Sequence, residues 1–273
     1  MDAHLGMRRI LQLALMVLLA LSASAQIIMI QQVANSMPPQ TPSGPTYQYI
    51  AAESGYCSNT GGNTNCTGNT TSISTLVNTV NGDLVVVNCQ RLNTIGVQGV
   101  AVSDVNGETW VDEADLSPNN GATGMSSLFV ALIANGGSGD EVSCTKNTGG
   151  TVASLSMTID AFRSSSGWTN QGDGTPTDQG TLNYVLASPA GPCTVTASGA
   201  TSQANELVYG SCFAATGTVS SASGYTTAQN NTFTSVGQVY TAYKPITAIQ
   251  TPTFTTNGTL TDPQSLILTF APN

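Results

Sequence analysis

One series of motifs occurs twice in this chain, in the same order, and no other feature so limits what the chain can fold into. The first copy runs Asp83-Leu-Val-Val-Val-Asn-Cys89, Ser103-Asp-Val-Asn-Gly-Glu-Thr-Trp110, Ser127-Leu-Phe-Val-Ala-Leu-Ile133 and Ser154-Leu-Ser-Met-Thr-Ile-Asp-Ala-Phe162. The second runs Glu206-Leu-Val-Tyr-Gly-Ser-Cys212, Ser221-Ala-Ser-Gly-Tyr225, Gln238-Val-Tyr-Thr-Ala-Tyr243 and Ser265-Leu-Ile-Leu-Thr-Phe270. In each copy an acid stands six positions before a cysteine, and the offset falls from 123 residues at the cysteines to 111 at the last block. The loops therefore differ in length while the blocks do not.

The blocks are short runs rich in Val, Ile, Leu, Tyr and Phe between Gly/Asn/Ser clusters, with no run of helical period from Tyr47 onward. They predict an all-β protein, an antiparallel β-sandwich of jelly-roll or Ig-like type built from two pseudo-repeated halves. Strands are expected at 84–89, 96–103, 108–112, 127–134, 141–145 and 155–162, then at 193–197, 207–213, 224–227, 237–243, 253–256 and 266–270. Asn106-Gly107 reads as a tight hairpin turn, since both residues tolerate positive φ. Two architectures fit: separate small domains of roughly 46–165 and 190–273, or one interleaved sandwich of about a dozen strands (typical strands being 3–10 residues long). The halves are short and the second is poor in strands, which favours one sandwich over 46–273. The Gly/Thr/Pro-rich stretch 163–192 is expected to run over the surface.

The N-terminus has the layout of a secretory signal over residues 1–25. Arg8 and Arg9 are followed by an apolar run from Ile10 to Leu21 and by the small-residue site Ala23-Ser-Ala25. The run is short for a membrane span, which needs roughly 20 residues. Cleavage after Ala25 removes His4, the only histidine, together with two of the six basic residues. Fourteen carboxylates then face four cations, a formal net charge of −10. Such a surface cannot neutralise phosphates, so nucleic acid and, after signal cleavage, membranes are not expected partners. A chain without histidine also lacks the usual general base of hydrolytic triads. The expected location is secreted or cell-surface.

Six cysteines, all beyond residue 25, fit an oxidising compartment and are expected to form disulfides. Cys57 and Cys66 bracket a Gly/Asn-rich loop, Cys193 and Cys212 open adjacent strand candidates, and Cys89 and Cys144 remain. Residues 26–45 stand apart. Gln26 to Val33 is an apolar strand-like segment, and Met37-Pro-Pro-Gln-Thr-Pro-Ser-Gly-Pro45 is a stiff, extended linker. Strand donation by Ile27, Ile28, Met29 and Ile30 to the open sheet edge of another copy is the leading self-association candidate.

The motif order, with Gly82-Asp-Leu-Val-Val-Val87 and the Ser103-Asp-x-x-Gly-x-Thr-Trp110 turn, resembles secreted bacterial surface β-sandwich domains of jelly-roll or Ig-like type. It does so in outline over residues 80–270. Those domains mostly have no assigned activity, so the resemblance implies a fold and a location and transfers no residue roles.

Candidate sites are few. Acids gather at Asp104, Glu108, Asp112, Glu113 and Asp115 and at Asp140 with Glu141. Asp104, Glu108 and Asp140 are the candidate metal ligands, with calcium as the possible ion because it takes 6–8 oxygens. No other cofactor is expected. Asn170-Gln-Gly-Asp-Gly-Thr-Pro-Thr-Asp178 is a second oxygen-rich loop. Trp110 and Trp168, with Tyr184, Tyr225, Tyr240 and Tyr243, are candidates for stacking sugars, although Tyr240 and Tyr243 fall on opposite faces of a regular strand. A carboxylate pair can hydrolyse glycosides without histidine, but no acid is set among aromatic residues on a strand. The chain is accordingly read as a non-enzymatic structural or adhesive surface protein, partnered by itself as a homo-polymer or by extracellular polysaccharide. A carbohydrate-binding module is the alternative.

Overall fold

The computed structural model describes residues 44–58, 72–93, 100–116, 124–146, 152–171, 173–185, 190–233 and 237–273, which belong to one compact unit, Gly44–Asn273. Residues 1–25, expected to be a signal, and the 26–33 segment lie outside them, as do Cys66 and the Cys57 side chain.

The first half contains β1 (Tyr47–Ser58), β2 (Ser72–Val77), β3 (Leu84–Asn93), β4 (Val100–Asp104), β5 (Val111–Leu116), β6 (Gly124–Leu132), β7 (Asp140–Lys146) and β8 (Val152–Ser164). The second contains β9 (Asn183–Val185), β10 (Thr194–Thr196), β11 (Leu207–Ala214), β12 (Thr216–Gly217), β13 (Thr226–Phe233), β14 (Gly237–Pro245), β15 (Thr253–Thr255), β16 (Leu260–Thr261) and β17 (Gln264–Phe270). No helix occurs among the described residues, and every strand pairing is antiparallel.

Strands pair within their own half. The first half forms a five-stranded sheet in the order β1-β8-β3-β6-β5 and a three-stranded sheet β2-β7-β4. The second forms a five-stranded sheet β13-β14-β11-β17-β9 and two short pairs, β10-β15 and β12-β16. Read from β9, the second large sheet runs β9-β17-β11-β14-β13, so strands of the same rank hold the same places in both, the short β16 being the one extra.

The pleat of β3 shows how the layers stack. Val85, Val87 and Cys89 point one way and pack with Val100, Val102, Val142 and Cys144 of the three-stranded sheet. Leu84 and Val86 point the other way and meet Leu207, Tyr209, Leu266, Leu268 and Phe270 of the second large sheet. The opposite face of that sheet, with Val208, Cys212, Tyr240 and Ile267, is closed by Val195, Phe254 and Leu260 of the short pairs. The two large sheets are thus covered on both sides. This is why β3, β11 and β17 read as continuous apolar runs instead of alternating ones. Gly210 of β11 belongs to the same packing: a Cβ there would come within 2.3 Å of the Phe254 ring.

The turn at Asn106-Gly107 does not form the expected hairpin. β4 pairs with β7 and β5 with β6, so the turn carries the chain from one layer to the next, with Gly107 at φ 76°. The stretch 163–192, expected to run over the surface, is drawn inward at several of its described residues. Trp168 and Thr177 bridge to Pro272 and Phe270, and Thr175, Thr177 and Thr181 are buried.

Two of the expected disulfides are present. Cys89–Cys144 ties β3 to β7 and Cys193–Cys212 ties the start of β10 to β11, so each joins the two layers of one half. Their sequence separations are 55 and 19 residues. In the chain-entropy picture the longer loop costs the unfolded chain more, about 4 against about 3 kcal/mol. Removing Cys89–Cys144 by paired Cys→Ala substitution should therefore destabilise more than removing Cys193–Cys212, by about 1 kcal/mol. Urea unfolding of the two double variants checks the ranking.

Candidate functional site

The repeated acid of the sequence motif has the same structural task in both halves. Asp83 and Glu206 are fully buried immediately before the central strands β3 and β11. Each accepts a hydrogen bond from the backbone N–H three residues earlier, Val80 to Asp83 at 2.8 Å and Gln203 to Glu206 at 3.0 Å. The backbone carbonyls of both acids also accept corresponding bonds, from Ile133 at 2.8 Å and Ile246 at 3.0 Å. The Asp83 carboxylate is held further by a two-pronged pair with Arg163, at 2.7 and 2.8 Å. Glu206 takes hydroxyls instead, from Ser202 at 3.0 Å and from Thr269. Burial pushes the Glu206 carboxyl above its ordinary range, and these hydrogen bonds pull partly against that shift. The acids are turn locks that set the entry of each central strand.

The candidate metal residues gather at one end of the first half. Asp104 closes β4, and its carboxylate accepts from the backbone N–H groups of Asn106 at 2.8 Å and Glu108 at 3.2 Å. It also takes the indole N–H of Trp110 at 2.5 Å. Glu108 accepts from the N–H groups of Ala134 and Asn135 at 2.9 and 2.6 Å, which fastens the β4–β5 turn to the end of β6. Asp140 begins β7 opposite Val77 and is 2% exposed. Burial first, then the neighbouring Asp104 charge, raises its pKa; Glu108 adds to the effect, and the Asn106 side chain works against it. Among the described residues no three acidic, histidine or cysteine side chains converge closely enough to form a metal site by themselves.

The other acidic candidates separate. Glu113 turns inward from β5, where Thr175 and Gln179 donate to it at 3.1 and 2.6 Å. This draws in the oxygen-rich loop, whose Asp173 accepts from the N–H of Thr175 at 2.9 Å. Loop and strand thus satisfy each other.

The aromatic candidates form no platform. Trp168 is 5% exposed, stacked on Tyr47 at 5.5 Å between centroids and edge-on to Phe270 at 6.3 Å. Trp110 is half-buried against the first core. Tyr225 closes edge-on over Phe254 at 5.4 Å, with the Lys244 ammonium 5.8 Å from its centroid. Tyr240 and Tyr243 point to opposite faces, into the second core and toward the seam between the large sheets. Tyr184 is exposed. Ile27, Ile28, Met29 and Ile30 and the Cys57–Cys66 pairing lie outside the described residues.

The most concentrated chemistry is at Asp160, which the sequence did not single out. It is fully buried in β8, in the seam between the two large sheets. Tyr49 of β1 donates to Oδ1 at 2.6 Å, Tyr209 of β11 to Oδ2 at 2.7 Å, and the Gln229 amide of β13 to Oδ1 at 3.0 Å. Asn88 of β3 donates to the Tyr209 hydroxyl at 2.9 Å and accepts from Ser211 at 2.9 Å. Burial raises the Asp160 pKa and the donors oppose it, Tyr49 foremost. A protonated Asp160 keeps every partner: its O–H can donate to Tyr49, whose own hydroxyl lies 3.3 Å from the Ala228 carbonyl. The one signal in sequence was a lone acid inside the otherwise uncharged run 154–162.

A scan against models of known protein families finds no match, and neither does a search of curated proteins or of solved structures.

The raised pKa of Asp160 has a definite sign for stability. A carboxyl whose folded pKa lies above its unfolded value, ~4, contributes most below that value and loses its contribution as pH rises through the folded pKa. Asp140 and Glu206 shift the same way. Resistance to urea should therefore increase as pH is lowered from 7 toward ~4, and Asp160→Asn should flatten that slope. Asp160→Ala, which strands two phenols and an amide, should cost about 2–4 kcal/mol at acid pH. Parallel pH curves for wild type and Asp160→Asn would refute the assignment.

Proposed function

We propose that this is a secreted structural or adhesive surface protein, without catalysis, that associates with further copies of itself through the strand-like segment 26–33. The observation that carries the reading is what the fold does with its rims. Each large sheet ends on a strand, β5 in one and β13 in the other, with no further strand beyond it among the described residues. Such rims present unpaired N–H and C=O groups that an added strand can satisfy. In the sequence, the apolar segment 26–33 is separated from β1 by the Pro-rich stretch 37–45, and it is the segment we propose as the donor. A donor that enters a different copy from the one it receives makes a head-to-tail contact, which builds filaments.

Each half reads as a jelly roll, and the two as products of duplication. The support is the shared rank order of the large sheets together with the winding 1-8-3-6, in which the first strand pairs with the eighth, the eighth with the third and the third with the sixth. Two disulfides, one per half, suit an extracellular scaffold. No helix among the described residues is long and apolar enough to cross a membrane. A polysaccharide-binding role draws less support, because Trp168 is enclosed by its neighbours.

Light scattering and negative-stain microscopy of the secreted chain, with and without residues 26–45, test the assembly. Large oligomers or filaments that disappear on truncation are expected. A monomer in both forms would overturn strand donation.

A further inference from the structure

The chain carries an asparagine followed by glycine five times, at Asn81, Asn106, Asn120, Asn135 and Asn257. Asn120 lies outside the described residues. Such a pair can modify itself. The glycine nitrogen, with no Cβ beside it to hinder approach, loses its proton and attacks the side-chain carbonyl carbon of the asparagine. The amide nitrogen leaves as ammonia, and a cyclic imide remains. Water then opens either carbonyl of that ring, giving aspartate or, where the chain now runs through the former side chain, isoaspartate. Two freedoms are required. The glycine N–H must be clear of hydrogen bonds, and the asparagine side chain must be able to turn back onto it.

The fold withholds these freedoms from three of the four described pairs. The Gly82 N–H, which would react at Asn81, donates to the Ile133 carbonyl at 2.7 Å, and Asn81 Oδ1 accepts from the Gly136 N–H at 2.8 Å. That second bond also occupies the nitrogen that would react at Asn135. Gly136 is pressed on Val80 besides, since a Cβ there would come within 2.4 Å of the Val80 backbone. Asn257 Oδ1 accepts from the N–H groups of Ser220 and Ser221 at 3.2 and 2.8 Å. Its neighbour Gly258 lies on the Thr218 carbonyl, 2.3 Å from where a Cβ would stand. All four asparagines are exposed, so exposure does not separate them. Hydrogen bonding does.

Asn106-Gly107 differs on both counts. Among the described residues neither the Gly107 N–H nor the Asn106 side-chain oxygen meets a partner. The Asn106 amide eases the ionisation of Asp140, but neither Asp140 oxygen is held in hydrogen-bonding geometry, so this contact does not pin the side chain. Gly107 stands at φ 76° with nothing within 4 Å of an added Cβ, which leaves its peptide room to reorient. The rest of the turn is anchored. Asp104 takes the N–H groups of Asn106 and Glu108 at 2.8 and 3.2 Å, and Glu108 takes those of Ala134 and Asn135 at 2.9 and 2.6 Å. The turn is held at its base and open at its tip.

We infer that Asn106-Gly107 is a self-modification site, where the folded protein converts to aspartate and isoaspartate while the other three described pairs are protected. The site carries the chain from the three-stranded sheet to the five-stranded one. Isoaspartate lengthens the backbone there by one carbon, and either product sets a new carboxylate two residues from both Asp104 and Glu108. Like charges so close repel, so the products loosen the anchors of the turn and leave a permanent mark of age. The inference does not rest on strand donation.

The test is peptide mapping by mass spectrometry of the full chain during incubation at mildly alkaline pH, folded and in urea, with isoaspartate read by enzymatic methyl labelling. Each hydrogen bond that must open first slows ring closure by about tenfold. In the folded protein Asn106 should therefore convert at least about tenfold faster than Asn81, Asn135 or Asn257. In urea the four should convert at similar rates. Ageing should lower Tm by roughly 2–4 °C, and Asn106→Gln, whose larger ring closes far more slowly, should keep its fresh Tm throughout. Conversion of the folded protein no faster at Asn106 than at the other three would overturn the inference. So would the same ranking in urea, which would assign the selectivity to sequence instead of fold.

Discussion

The structure depends on the seam between its two large sheets. Each half has a core of its own, closed by a smaller sheet or by short strand pairs and locked by a disulfide. Neither half can stand in water unchanged, because the other face of its large sheet is apolar: Leu84, Val86, Leu128, Val130 and Phe162 on one, Leu207, Tyr209, Leu266, Leu268 and Phe270 on the other. Burying a side chain of this size is worth about 1.5–3 kcal/mol. The ten together therefore outweigh any preference of the halves to separate. Two sandwiches become one body because each is the other's missing cover.

An apolar seam alone would not fix how the sheets lie on each other, since hydrophobic contact is non-directional. Asp160 supplies the direction. Its donors come from β1, β11 and β13, hence from both halves. Sliding or rotating one sheet over the other would break those bonds in a medium that offers no replacement, at about 1–3 kcal/mol for each orphaned group. Tyr49 shows how closely the two effects are joined. Its ring stacks on Tyr243 at 5.5 Å between centroids while its hydroxyl serves Asp160. The apolar residues hold the sheets together and the carboxyl determines their register.

Much of this was legible in the chain and some was not, for physical reasons. Strands β3, β6, β8, β11, β14 and β17 announce themselves because they are apolar and β-branched or aromatic, and the cysteines of each half fall on facing layers. β1 was missed because Tyr47–Ser58 carries Gln, Ala, Glu, Ser and Gly, residues that a rim strand tolerates and a central strand does not. Asn106-Gly107 was read as a hairpin because the dipeptide reports only a tight turn. Whether the flanking strands then pair is decided by the layers that they join. Trp168 looked like a surface aromatic in a Gly/Pro-rich stretch, yet that stretch is drawn inward by Tyr47 and Phe270. The seam was invisible for a more general reason. A strand buried on both faces looks the same whether its second cover comes from its own half or from the other.

The same logic explains how a chain with so few charges arranges them. Charged residues are 8% of the sequence, about a third of the usual share, and several of the acids are inside. Asp83 and Glu206 fasten the turns that launch the central strands, Glu113 gathers a loop, and Asp160 registers the sheets. Each carboxylate satisfies several donors at once, which one hydroxyl or amide does less strongly. Of these four, Asp83 is paired with a cation, Arg163, while hydroxyls, amides and backbone N–H groups serve Glu113, Asp160 and Glu206. Those interactions weaken little with salt, because buried pairs are screened far less than exposed ones. A fold held in this way depends on dry packing, disulfides and buried hydrogen bonds more than on its solvent.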